Sequence, residues 1–179
     1  GKTKKGLSIG ILESVTAAEY GVINTKGEVE RQLVEPLTNY FVGRVQRDFN
    51  HKNTFIGGIF TATNRKIEEN VNALHESAYT AGFDFKHQWN NRAWYVGANV
   101  VTSHVEGSEL AILNTQTSIR HLYQRVDASH LEVDSSRTFL NGLGGDLRIG
   151  KAGQGRFRFE TGVTWRTAGL ELNDLGFMR

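Results

Sequence analysis

The densest set of reactive side chains falls between residues 106 and 136, where His121, Tyr123, Arg125, Asp127, His130, Glu132 and Asp134 crowd into one polar connection. Imidazoles, carboxylates and a phenol at this density could build a metal site or a general acid–base pair. His130 and Glu132 stand two apart, which on an extended strand puts both on one side. No ligand spacing of the His-Glu-x-x-His kind is present. Three readings therefore stay open: a loop folded over or into the mouth of a barrel with its charges bonded to the wall, a set of ligand contacts, or a catalytic or metal centre. The first is adopted, and no catalytic residue, metal or cofactor is assigned. A second pattern, "GDLRIGKA" from Gly145 to Ala152, comes within one residue of a phosphate-binding loop. That chemistry needs a helix after the glycines. Here Ala152 replaces the hydroxyl residue and another strand, "RFRFETGVTW", follows, so a nucleotide role is set aside. A third set, Asp84, Lys86, Asp146, Arg148, Arg156, Arg158 and Glu160, shares one face of the strands around it. It reads either as cross-strand ion pairs that stiffen a wall or as a basic surface that attracts anions.

The elements that position these groups come from period-two alternation. Tyr79, Ala81, Phe83, Phe85, His87 and Trp89 interleave with Thr80, Gly82, Asp84, Lys86 and Gln88, an oily face backed by a charged one. The same alternation predicts seven strands, near 7–16, 37–49, 54–65, 79–89, 93–105, 137–150 and 155–167. Tight polar turns ("NHKN", "NNR", "KAGQG") alternate with long connections at 17–36, 66–78, 106–136 and 168–179. Short turns on one side and long loops on the other are the habit of outer-membrane barrels. Phe49, Trp89, Trp94 and Phe157 sit near the short turns, and Tyr79, Phe139 and Trp165 near the long loops, as two interfacial girdles would require. His87 and His104 read as interfacial or solvated.

The chain has 179 residues, a net charge of +2, no cysteine, and twenty glycines against one proline. Thiolate chemistry and disulfides are excluded, and the near-neutral charge gives no bulk field for a nucleic-acid partner. Glycines inside strands, as in "FIGGIF" and "LNGLGGDLRIG", suit curved sheets. No apolar run reaches the ~18 residues of a spanning helix, which leaves a β-barrel open. With neither an initiator Met nor a signal peptide in view, the chain reads as an internal piece of something longer.

Six stretches carry a family resemblance: "KTKKGLSIGILESVTA", "VEPLTNYFVGRVQRDFN", "GGIFTATNR", "LHESAYTAGFDFKHQWNNR", "HLYQRVDASHLEVDSSRT" and "WRTAGLELNDLGFMR". In this order they resemble a Bacteroidetes-type outer-membrane protein family. Its members carry an N-terminal carbohydrate-binding-module family 9-like domain followed by a large β-barrel of unassigned function. The resemblance implies that this chain is the early part of the barrel, with the N-terminal domain before it and further strands after it.

The expectation is thus an all-β, antiparallel up-and-down meander of about seven strands, part of a transmembrane barrel in a Gram-negative outer membrane with its long loops outside. Its partners would be outer-membrane lipid, the rest of its own full-length chain, and a glycan or other small solute. Its role would be that of a conduit, surface receptor or anchor. Two alternatives are carried: an outer-membrane hydrolase with its site in 106–136, and a soluble β-sandwich binding module.

Overall fold

The computed structural model describes residues 1–25, 27–153 and 155–174. Among the described residues nine strands form: β1 (Leu7–Thr16), β2 (Glu19–Thr25), β3 (Glu28–Glu35), β4 (Thr38–Phe49), β5 (Thr54–Arg65), β6 (His75–Trp89), β7 (Trp94–Gly107), β8 (Phe139–Lys151) and β9 (Phe159–Arg166), with one α-helix, α1 (Glu109–Thr117). Seven of the strands make one antiparallel sheet in the order β1-β4-β5-β6-β7-β8-β9, and β2 pairs with β3 as a separate hairpin. The sheet is all-β and antiparallel, and it is open: β1 and β9 are its edges, so the expected barrel is not closed within these seven strands. Among the described residues no helix is long and apolar enough to cross a membrane.

Three differences from the sequence reading have local causes. The connection expected at 17–36 is mostly the β2–β3 hairpin, turned by Gly27 at φ +94°. The connection at 106–136 opens with α1, whose cap is Ser108: its hydroxyl accepts the Ala111 N–H at 3.1 Å, as capping serines do. β9 begins at Phe159, so Arg156, Phe157 and Arg158 precede the strand and Phe157 is 79% exposed. Of the expected loop 168–179, residues 175–179 lie outside the described residues.

Register fixes two faces. One row across the sheet reads Ile9, Val45, Gly58, Phe83, Val100, Gly145 and Trp165. Among the described residues nothing covers this face: Ile9, Val45, Phe83 and Val163 all stay exposed, Phe83 at 50%. On this face the rings of Phe41, Phe60, Tyr79, His104 and Phe139 adjoin one another at 6.1–6.5 Å near the long connections. His87, Trp89, Trp94 and Phe159 do the same at 5.6–6.3 Å near the short turns. The short turns are stitched sideways as well. Asn50–Lys52 and Asn90–Arg92 repeat one run of three left-handed residues, and Arg92 donates to Asn53 Oδ1 at 3.0 Å and to the His51 carbonyl at 3.2 Å.

The opposite face is polar in the middle and dry at one end. Arg44 of β4 and Asp84 of β6 form an ion pair across β5. They meet because Gly57 lies between them: a Cβ there would stand 2.6 Å from Asp84 Oδ1 and 2.7 Å from Arg44 Nη2. Gly57→Leu should therefore lower the unfolding free energy by about 1–3 kcal/mol through overpacking, read by urea titration. Asp84→Asn removes only a half-exposed pair and should cost about 1 kcal/mol or less. Equal costs would show that the glycine is not what admits the pair.

Candidate functional site

At the long-connection end, the polar face becomes small and apolar. Thr63, Ala78, Val105 and Leu140 lie side by side on β5 to β8, and all four are buried. They are buried by α1 and by the segments that follow α1 and β9. Ile112, Tyr123 and Leu140 share one cluster with Ala78 and Val105, with Leu131 and Ala168 packed against it. Apolar burial on this scale is what lets long connections sit at one place on a sheet. Gly142 on β8 admits the returning chain, because a Cβ there would overlap the backbone of Leu170.

Two histidine–carboxylate pairs lock that segment down. His121 Nε2 lies 2.9 Å from Glu171 Oε2, with the two side chains only 1% and 7% exposed. His121 Nδ1 faces the Ala168 carbonyl. A carbonyl can only accept, and the ionised carboxylate can only accept, so both ring nitrogens face acceptors. Burial pushes the Glu171 carboxyl upward. Hydrogen bonds from His121, and from the backbone and side chain of Asn173, outweigh that and bring it to about 2 from an ordinary 4.5. The Glu171 N–H donates to Ser103 Oγ on β7 at 3.0 Å.

The second pair is His75 and Asp174. His75 Nδ1 lies 2.8 Å from Asp174 Oδ2, and its Nε2 lies 2.7 Å from Thr115 Oγ1 on α1. Arg65 donates to Asp174 Oδ1 at 2.7 Å. Burial raises the Asp174 carboxyl, and His75 and then Arg65 hold it below its usual range. Acid, imidazole and hydroxyl in a row have the outline of a nucleophilic relay. The hydroxyl proton is already committed, since Thr115 Oγ1 donates to the Ala111 carbonyl at 3.0 Å. Thr115 therefore accepts from His75, and the row works as a clamp between β6, α1 and the chain after β9. A cavity of about 350 Å³ opens beside it, lined by Arg65, His75, Arg120, Glu171 and Asp174 among others.

The remaining residues of the dense sequence set disperse. Tyr123 is buried in the apolar cluster, and burial raises its phenol. Arg125 pairs with Asp127 at 3.4 Å in solvent. Asp134 accepts from the Ser136 N–H at 3.0 Å and from its hydroxyl at 2.7 Å, and lies 3.6 Å from Arg137. Those Ser136 bonds lower its carboxyl. The buried Gln116 side chain brackets residue 134, donating to its carbonyl at 2.8 Å and accepting its N–H at 2.9 Å. His130 and Glu132 are exposed, and the chain there is not a strand, so the two-residue spacing does not align them. Among the described residues no three His, Asp or Glu side chains come together to hold a metal.

On the polar face of the sheet, Asp146 accepts from Asn99 at 2.9 Å and from Arg148 at 3.0 Å, and Arg148 lies 3.5 Å from Glu160. Tyr95 donates to Glu160, and the Lys86 ammonium sits 5.8 Å above the Tyr95 ring. Arg156 and Arg158 lie ahead of β9 and are exposed. Sequence reasoning missed His75, Arg65, Glu171 and Asp174, whose partners stand up to 109 residues away. It also missed the ring contributors Phe41 and Phe60.

Searches of curated proteins and of solved structures return no match for this chain. A family model described as a domain of unknown function (DUF5916) matches residues 1–179, the whole length, and the chain belongs to that family.

Proposed function

We propose that this sheet is part of the wall of a transmembrane β-barrel in a Gram-negative outer membrane. Its role is that of a conduit, surface receptor or anchor for glycan-related work. The glycan element rests on the resemblance to barrels that follow a carbohydrate-binding-module family 9-like domain. One observation carries the membrane reading: an uncovered apolar face runs over all seven strands and ends in a row of rings on either side. Tyr79 and Trp89, one from each row, are ten residues apart on β6, about 34 Å along a strand and about 25 Å along the normal at a tilt of about 40°. That matches the height of a barrel's lipid band. Water against this face would leave Ile11, Val15, Phe83 and Val163 solvated with no layer to bury them. The edges of β1 and β9 need further strands, because unpaired backbone is costly in hydrocarbon.

On this reading the charged wall faces the lumen, and α1 with the two clamped segments narrows its outer mouth. Spin labels test it in the full-length protein, reconstituted in bilayers on a cysteine-free background. A nitroxide at Val100 or Val163 should collide with dissolved oxygen in preference to a water-soluble nickel complex, and one at Asn99 or Lys86 should show the reverse. Equal access to nickel at all four positions would overturn the membrane assignment.

A further inference from the structure

A second cavity, of about 490 Å³, lies between the chain after α1 and the end of β9. Arg120, Arg125 and Arg166 line it together with His121 and His130, and no carboxylate is among its lining residues. His121 is already committed to Glu171 and the Ala168 carbonyl. Arg166 is fixed in place, donating through Nη2 to the Arg120 carbonyl at 2.7 Å. Among the described residues neither Arg120 nor Arg166 has an ion-pair partner, and Asp127, the partner of Arg125, is 78% exposed. Three guanidiniums around one hollow repel one another, and their planar forks suit two-point contact with an oxyanion. Leu131, Thr167 and Ala168 supply an uncharged floor. The volume falls within the ~300–1,000 Å³ of small-ligand sites.

The geometry points to a binding site for a small solute bearing an oxyanion, a carboxylate, phosphate or sulfate on a body about the size of one sugar. Arg120, Arg125 and Arg166 hold the charge, and His130 stands at the rim. The site depends on how two connections fold against each other and not on what lies against the apolar face, so it stands or falls apart from the membrane reading.

Calorimetric titration of the full-length protein in detergent with inorganic phosphate, inorganic sulfate and glucuronate tests it. Saturable binding of at least one is expected, weakened by added salt. Tighter glucuronate binding assigns a sugar acid, and tighter phosphate or sulfate binding a tetrahedral oxyanion. Arg125→Gln, at an exposed position that cannot unfold the loop, should weaken binding about tenfold. Arg120→Gln should do the same, with partial recovery in Arg120→Lys. Arg148→Gln, on the wall outside the cavity, should leave affinity within about twofold. No saturable binding by any probe, unchanged affinity in Arg125→Gln and Arg120→Gln, or an equal loss in Arg148→Gln would overturn the assignment.

Discussion

Phe83→Arg should cost about 2–4 kcal/mol of stability in a bilayer, the cost of an arginine on the lipid face near the midplane. Phe83 lies four residues from Tyr79 and six from Trp89 on β6, and so stands midway between the two rows of rings. Asn99→Arg, on the opposite face, places its cation beside Asp146, which Asn99 now contacts at 2.9 Å. It should cost under about 1 kcal/mol, since an exposed pair contributes little in either direction. Urea unfolding from lipid vesicles measures both. If water wets the apolar face instead, the order reverses: Phe83→Arg becomes neutral or stabilising, because it removes a solvated ring.

Glu171→Ala is the second large effect, expected at about 3–5 kcal/mol, because it breaks a pair whose side chains are 1% and 7% exposed and strips the buried His121 ring and Asn173 of their shared acceptor. The pH dependence follows from the sign of the shift. The Glu171 carboxyl is lower when folded, about 2 against 4.5. Its contribution, about 3 kcal/mol by linkage, is therefore complete above pH ~4.5 and is lost as the pH falls from there through about 2. The unfolding free energy of the native protein should drop over that interval relative to Glu171→Gln, whose amide does not titrate. Curves that run parallel between pH 2 and 5 would show that the His121–Glu171 contact does not hold the segment.

The strands were legible in the sequence because one face of each is apolar and alternation is then unmistakable. β1, β4 and β5 begin and end within a residue of the expected spans. The β2–β3 hairpin was not legible, because most of its side chains are wet and Leu33 alone among its apolar residues is buried. Val22 and Val29 are 72% and 68% exposed, so no single-faced apolar pattern marks it. Helix α1 announces its start through Ser108 and Glu109. Leu110, Ala111, Ile112 and Leu113 then run consecutively and leave no stripe at helical spacing. The site was half legible. The sequence singled out His121 but gave no hint of Glu171, fifty residues on, because spacing rules see only local partners. Density of reactive side chains proved a poor guide: Arg125 and Asp127 pair in solvent, while His75 and Asp174 clamp three elements from outside the dense stretch.

The pairing order bears on how such a sheet comes into being. Every ladder beyond the first joins strands consecutive along the chain, and β1 reaches β4 across the β2–β3 hairpin. Growth can thus proceed by successive zippering from one end, each new ribbon templated on the last, with little loop-closure entropy to overcome. On the barrel reading proposed above, the slow step is final sealing, where the two outermost ribbons must find their mates, and until then the exposed rims invite self-association.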